Sequence, residues 1–471
     1  MRSTRPRPNA KFRWSCSAGS DALTSAKKPW AGRQLHFVAI GGAGMSGLAL
    51  IAASLGASVT GSDRAETAYL GPVRAAGVQP VVGEHAADNV PAGGEVVYST
   101  AIPFENPERA VARAAGGGGE RHRAELLAEI ARLKRLIAIT GTHGKTTTTA
   151  MLAHVLAGAG LDPAYYVGGE LRSTGLNAAW GDGDWIVVEA DESDRSLLNF
   201  SPEIAVLTNA ELDHHSTYAS RLDLDNTFRE FTGRADSAVV WDRPELLALA
   251  EGAGRLIPYD ARSVEAGPAG TSFSWRGLEV KLGVPGLHNA VNAAGALSAA
   301  AAAGAEPAAA VAAIASFRGA RRRLELLGTT PSGAAVYDDY AHHPTELAAA
   351  IAAARTLAPR RLVAVFQPHL FSRTAALARG FGQALAGADV AVVLDVYPAR
   401  ERAADFPAVD GRLVAAAAAD YGAGKQVAWL PRMDDAHAWL GEILHRDDLV
   451  LCMGAGNVDS LGRRLVGGGD A

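Results

Sequence analysis

Arg135-Leu136-Ile137-Ala138-Ile139-Thr140-Gly141-Thr142-His143-Gly144-Lys145-Thr146-Thr147 is the stretch on which the fold turns. Its first six residues form a short apolar run that stops at a glycine, the pattern of a strand covered on both faces in a parallel sheet. A glycine turn then leads into a helical pattern, so backbone amides converge at a helix N-terminus, where phosphate oxygens are stabilised. Lys145 is placed to neutralise β/γ oxygens, and the Thr146 hydroxyl to coordinate Mg²⁺. Gly141, Thr142, His143, Gly144, Lys145, Thr146 and Thr147 are therefore the expected triphosphate site. The spacing departs from GxxxxGK[ST], because Ile139 occupies the first glycine position; only the Gly144-Lys145-Thr146 core is kept.

An earlier copy of the same logic begins at Leu35-His36-Phe37-Val38-Ala39-Ile40, a short apolar run that meets Gly41-Gly42-Ala43-Gly44-Met45-Ser46-Gly47. Gly42-x-Gly44-x-x-Gly47 before a helical pattern, with Asp63 farther on, fits the turn that lets amides approach a diphosphate. Two phosphate turns imply two phosphorylated ligands, which disfavours a simple nicotinamide dehydrogenase. Outward from these turns, strands are expected at 57–60, 96–99, 185–189 and 204–208, then at 362–366, 390–396 and 449–453. Strands alternating with helices predict α/β architecture with parallel sheets. Three consecutive α/β domains result: 34–127 (Rossmann-like), 128–320 (built on the P-loop) and 321–471 (again Rossmann-like), after a basic, disordered leader over 1–33.

Other chemistry-bearing residues gather at predicted strand ends, the edge where open α/β sheets bind ligands. Glu189-Ala190-Asp191-Glu192-Ser193-Asp194 is one such group, and Asn209-Ala210-Glu211-Leu212-Asp213-His214-His215 another. Glu189 and His214 are candidates to share a metal ion with Thr146. His288, Asn289 and Asn292 open an Ala-rich helix and suit either a base and ribose or a helix cap. In the third unit, Asp338-Asp339-Tyr340-Ala341-His342-His343-Pro344-Thr345-Glu346 and Phe366-Gln367-Pro368-His369-Leu370-Phe371-Ser372-Arg373 concentrate titratable groups, with Arg373 able to grip a phosphate.

The 471 residues carry a net charge of −5, which argues against a general nucleic-acid binder. Two cysteines, Cys16 and Cys452, exclude a disulfide scaffold. No apolar run is long enough to insert in a membrane. A reducing, cytoplasmic setting is expected, with a monomer or homodimer both open.

In order along the chain, HFVAIGGAGMSGLA, GTHGKTTTT, EADESD, TNAELDHH, HNAVNAAGAL, DDYAHHPTE, FQPHLFSRT and GAGN resemble the Mur ligase family over about residues 34–460. The opening GGAGMSG looks like the family's alanine-adding branch. The resemblance implies an enzyme using ATP and Mg²⁺ to join L-alanine to UDP-N-acetylmuramate in peptidoglycan synthesis, through an acyl phosphate. It implies that Gly42, Ala43, Gly44, Met45, Ser46, Asp63 and Ser99 serve the UDP-sugar. Lys145, His342, His369 and Arg373 would be catalytic, and Thr146, Glu189 and His214 would hold the metal. His288, Asn289, Asn292, Arg322, Arg323 and Asp338 would face ATP, and Tyr340 and His342 the amino acid. Two departures stand out: Leu370 replaces a frequent arginine, and residues 214–234 lack the lysine that several relatives use at a second metal.

Overall fold

The computed structural model describes residues 28–114, 119–213 and 217–467. The first sheet has five parallel strands, with Gln34–Val38 in the centre between Ser58–Asp63 and Glu95–Tyr98. The helix Ala43–Ser54 springs directly from the first glycine turn. Residues 28–33, placed in the expected leader, belong to the described structure. Trp30 is buried, and Arg33 lies over its ring while bridging Glu95 and Glu129. An indole that removes its apolar area from water and a guanidinium with two carboxylate partners order this part of the chain. The helix Arg123–Ala131 runs across residue 127, and a new sheet opens at Arg135.

That second sheet has seven strands, with Arg135–Thr140 between Ile204–Leu207 and Trp185–Glu189. Ile137 and Ile139 point into one layer of the core, Leu136 and Ala138 into the other, as a strand covered on both faces requires. Two features depart from uniformly parallel sheets. Leu176–Ala179 adds an antiparallel edge, and Arg262–Gly267, Gly270–Trp275 and Leu278–Leu282 form a separate antiparallel meander. Phe273, Trp275, Val280 and Leu282 of the meander alternate toward the core, a period of two that marks a sheet with one wet face.

The third sheet has six strands, with Asp448–Met453 between Ala335–Asp339 and Arg361–Phe366 and an antiparallel edge at Glu325–Thr329. Among the described residues no helix is long and apolar enough to cross a membrane.

Candidate active site

All three sheets direct their strand ends toward one cavity of about 610 Å³. Ala43, Gly44 and Tyr69 line it from the first domain, Lys145, Thr146 and Glu189 from the second, and Arg322, Arg323, Tyr340 and His342 from the third.

The phosphate turn is fixed by its neighbours. Gly141 has φ of +127°, and a Cβ there would lie 2.2 Å from Thr208 Oγ1. Gly144 caps the helix Lys145–Gly158 at φ +78°, and a Cβ there would meet Asn292 Oδ1 at 2.6 Å. Both positions need glycine. Thr208 Oγ1 donates to the His143 carbonyl at 2.6 Å, and the Asn209 side chain accepts from His143 N at 2.8 Å. Thr142 Oγ1 donates to the Glu211 carbonyl at 2.8 Å. Thr147 is buried in the first turn of the helix.

Lys145 Nζ donates to the Gly141 carbonyl at 2.7 Å and pairs with buried Glu192 at 2.8 Å. Burial alone would lower its pKa, but Glu192, Asp191 and Glu189 outweigh it and hold the ammonium well above the usual lysine range. Thr146 Oγ1 donates to Glu189 Oε1 at 2.8 Å, and Gly168 N donates to the other oxygen at 2.6 Å. Burial raises the Glu189 pKa, only partly offset by Lys145. Arg323 reaches Thr146 Oγ1 from the third domain at 3.4 Å. His214 lies outside the described residues.

In the first domain, Asp63 accepts from Gly41 N at 2.8 Å and so braces its own glycine turn. Met45 and Ser46 are buried: Ser46 Oγ donates to the Ala43 carbonyl at 3.1 Å and accepts from Asn177 at 3.0 Å. None of the three, all expected to serve the sugar nucleotide, lines the cavity. Met45 and Ser46 are buried by packing of the helix and Asp63 is taken up by the turn, while Ala43 and Gly44 line the cavity. Ser99 does not line the cavity.

The third domain divides likewise. Tyr340 and His342 line the cavity, and His342 Nδ1 lies 3.0 Å from the Tyr340 carbonyl and 3.2 Å from Glu346. Burial pushes His342 down to about 4 and His369 to about 3. Arg373 does not stand free to grip phosphate. Its guanidinium holds Asp213 at 3.1 Å, both side chains are almost fully buried, and it donates to His369 Nδ1 at 3.4 Å. Asp338 is also withdrawn from the cavity, paired with Arg322 at 3.1 Å, and burial pushes it up to about 7. Arg322 bonds the Gly454 and Gly456 carbonyls as well. Leu370, at φ +68°, sits buried at the N-cap of Phe371–Leu385.

The three residues at the Ala-rich helix differ. Asn292 touches Gly144, whereas the Asn289 amide donates to the Pro285 carbonyl at 2.7 Å. Burial lowers His288 to about 4.

Several cavity residues carry no sequence signal: Arg123, within 3.6 Å of Asp194; Tyr69; and Tyr166, whose hydroxyl donates to the Gly44 carbonyl at 3.0 Å. Glu346 was legible in principle, four residues after His342 on the start of a helix, where side chains meet.

Three family models cover the chain: the Mur ligase family catalytic domain over 34–135, the Mur ligase middle domain over 139–300 and the Mur ligase glutamate ligase domain over 322–456. The UDP-N-acetylmuramate–L-alanine ligase of Streptomyces griseus is 41% identical, with 93% of this chain and 97% of that one aligned. The chain belongs to the Mur ligase family. The ligase of the same name from Acidithiobacillus ferrooxidans is 43% identical over 91% of this Mur ligase and 96% of its own length. The crystal structure of the UDP-N-acetylmuramate-alanine ligase from Thermotoga maritima superposes with a TM-score of 0.79 at 30% identity, covering 92% of this Mur ligase and 98% of that chain.

Proposed function

We propose that this Mur ligase joins L-alanine to the lactyl carboxylate of UDP-N-acetylmuramate, cleaving ATP to ADP and phosphate, in the cytoplasmic assembly of peptidoglycan precursors. The observation that carries this reading is the convergence of two phosphate-binding turns, at Gly44 and Lys145, on one cavity with Tyr340 and His342. The names of the relatives at 41% and 43% identity supply the substrate class.

The carboxylate oxygen attacks the γ-phosphorus, the bond to the ADP oxygen breaks, and an acyl phosphate forms. The amine of L-alanine then adds to the acyl carbon, loses a proton, and expels phosphate. Positioning and charge neutralisation carry such transfers. Lys145 supplies a permanent positive charge at the phosphates, held on the turn by two carbonyls. Thr146 and Glu189 offer the oxygen donors that suit Mg²⁺, whose chemistry is to neutralise charge on phosphate oxygens. Asn292, beside Gly144, belongs to the ATP side, with His288 and Asn289 farther along at the adenosine end. Tyr340 and His342 serve the amino acid, with burial keeping His342 uncharged at neutral pH, and the proton of the attacking amine leaves to solvent.

The test is phosphate release from Mg·ATP in the presence of UDP-N-acetylmuramate, with L-alanine, glycine, L-serine or no amine. Release that requires both the sugar nucleotide and L-alanine is expected. Release with another amine only would reassign the acceptor.

A further inference from the structure

Beside the phosphate turn, three side chains that do not line the cavity converge from two domains. His143 Nε2 lies 3.3 Å from Glu211 Oε2, and His343 Nδ1 lies 3.9 Å from the same oxygen. All three ligand atoms fall within 4.8 Å of one another. Neighbouring ligands of a tetrahedral ion with bonds of about 2.0–2.2 Å sit roughly 3.3–3.6 Å apart, so small side-chain rotations suffice to close on one. His143 and Glu211 already have outer contacts of the kind a ligand set needs, whereas His343 Nδ1 accepts a long 3.4 Å bond from Thr345 N that the ion would displace. His143 Nδ1 faces Glu346 at 3.4 Å, which leaves Nε2 for the ion and gives the opposite N–H a carboxylate. Thr345 Oγ1 orients Glu211 through a 2.7 Å bond. Two imidazoles with one carboxylate favour a borderline cation over Mg²⁺, which prefers oxygen alone. Glu211 is 39% exposed, so an ion can reach the site from solvent.

We propose that His143, Glu211 and His343 bind a divalent cation of the zinc type, separate from the ion at the phosphates, and that it ties the third domain to the phosphate turn. Because His343 belongs to the third domain and the other two ligands to the second, binding favours the closed arrangement.

The test uses full-length, chelator-stripped protein without nucleotide or Mg²⁺, titrated with Zn²⁺ by calorimetry and with Co²⁺ by visible absorption. One equivalent of Zn²⁺ and the intense absorption of tetrahedral Co²⁺ are expected. His343→Asn keeps an acceptor at the helix N-cap while removing the imidazole. It should weaken Zn²⁺ binding by about 10–100-fold. Glu211→Gln should act in the same direction, and it decides the matter if His343→Asn melts early in metal-free buffer. No binding, a faint octahedral Co²⁺ spectrum, or unchanged affinity in the folded variants would overturn the proposal.

Discussion

Lys145 shows how much one side chain can be asked to do. It stands at the helix N-terminus, pinned to its own turn by two carbonyls and paired with Glu192, which on the proposed reading sets a fixed charge beside the phosphates. Lys145→Ala should lower kcat by about 10²–10³-fold, the usual cost of losing one such preorganised group. Phosphate release within tenfold of the parent rate would remove Lys145 from the mechanism. The histidines make a second prediction through their protonation. His342 and His343 are held at about 4 and His369 at about 3, in each case chiefly by burial, against an ordinary value of 6.5. Below pH 6.5 the unfolded chain takes up protons that the folded chain refuses. Stability must therefore fall as pH drops from 6.5 toward 4. His143 runs the other way: Glu211 and Glu346 overcome burial and raise it to about 9, so its contribution is full below 6.5 and lost as pH rises to 9. Denaturant melts of chelator-treated protein should show greatest stability near pH 6.5. His369→Gln should flatten the acid limb by up to about 1.4 kcal/mol per pH unit. An unchanged acid limb would mean that His369 is protonated in the fold.

At the scale of elements, the glycine turns separate what a sequence displays from what only packing decides. Gly141→Ala would drive a Cβ into the Asn209 backbone at 2.8 Å with φ at +127°, where no rotamer change gives relief. A loss of about 2–5 kcal/mol is expected from strain and overpacking together. Gly441, inside the helix Met433–Ile443, has nothing within 4 Å of the same added atom. Gly441→Ala should stabilise by about 0.5–1 kcal/mol, and paired thermal melts check both signs. The turns were legible because glycine, strand and helix signals coincide within a dozen residues. The strand Trp185–Glu189 was legible because its apolar run is short and bounded. The meander over 262–282 was not, because its alternating faces are interrupted by glycine and charge and resemble surface loops. Nor could the sequence tell which titratable groups of the third domain's motifs face the cavity. His342 and Arg373 carry equal chemical promise, but Asp213, 160 residues away, takes the guanidinium out of the site.

For the whole molecule, the two domain junctions differ in kind, and the difference sets what moves. Leu48 and Ile51 of the first domain share a single apolar cluster with Tyr166 and Ala178 of the second, a junction built like a domain interior. Described apolar clusters of the third domain take no residue from before 320. Apart from Ala353 packed against Gly286, its named contacts with the second domain are polar: Arg373 with Asp213, Thr345 with Glu211, Glu346 with His143, and Arg323 with Thr146. Polar junctions of this sort permit domain motion, whereas apolar ones resist it. Of these contacts the Arg373–Asp213 pair is the most buried, so removing the arginine deprives a desolvated carboxylate of its guanidinium, at a cost of about 3–5 kcal/mol. That energy is charged to docking rather than to folding, because the core of the third domain, around Phe366, Phe381 and Leu451, does not include the pair. Arg373→Met should therefore raise the radius of gyration in small-angle scattering while the far-ultraviolet spectrum is unchanged. An unaltered radius would mean that the remaining polar contacts suffice to hold the third domain closed, and that the buried pair sets the orientation of His369 instead.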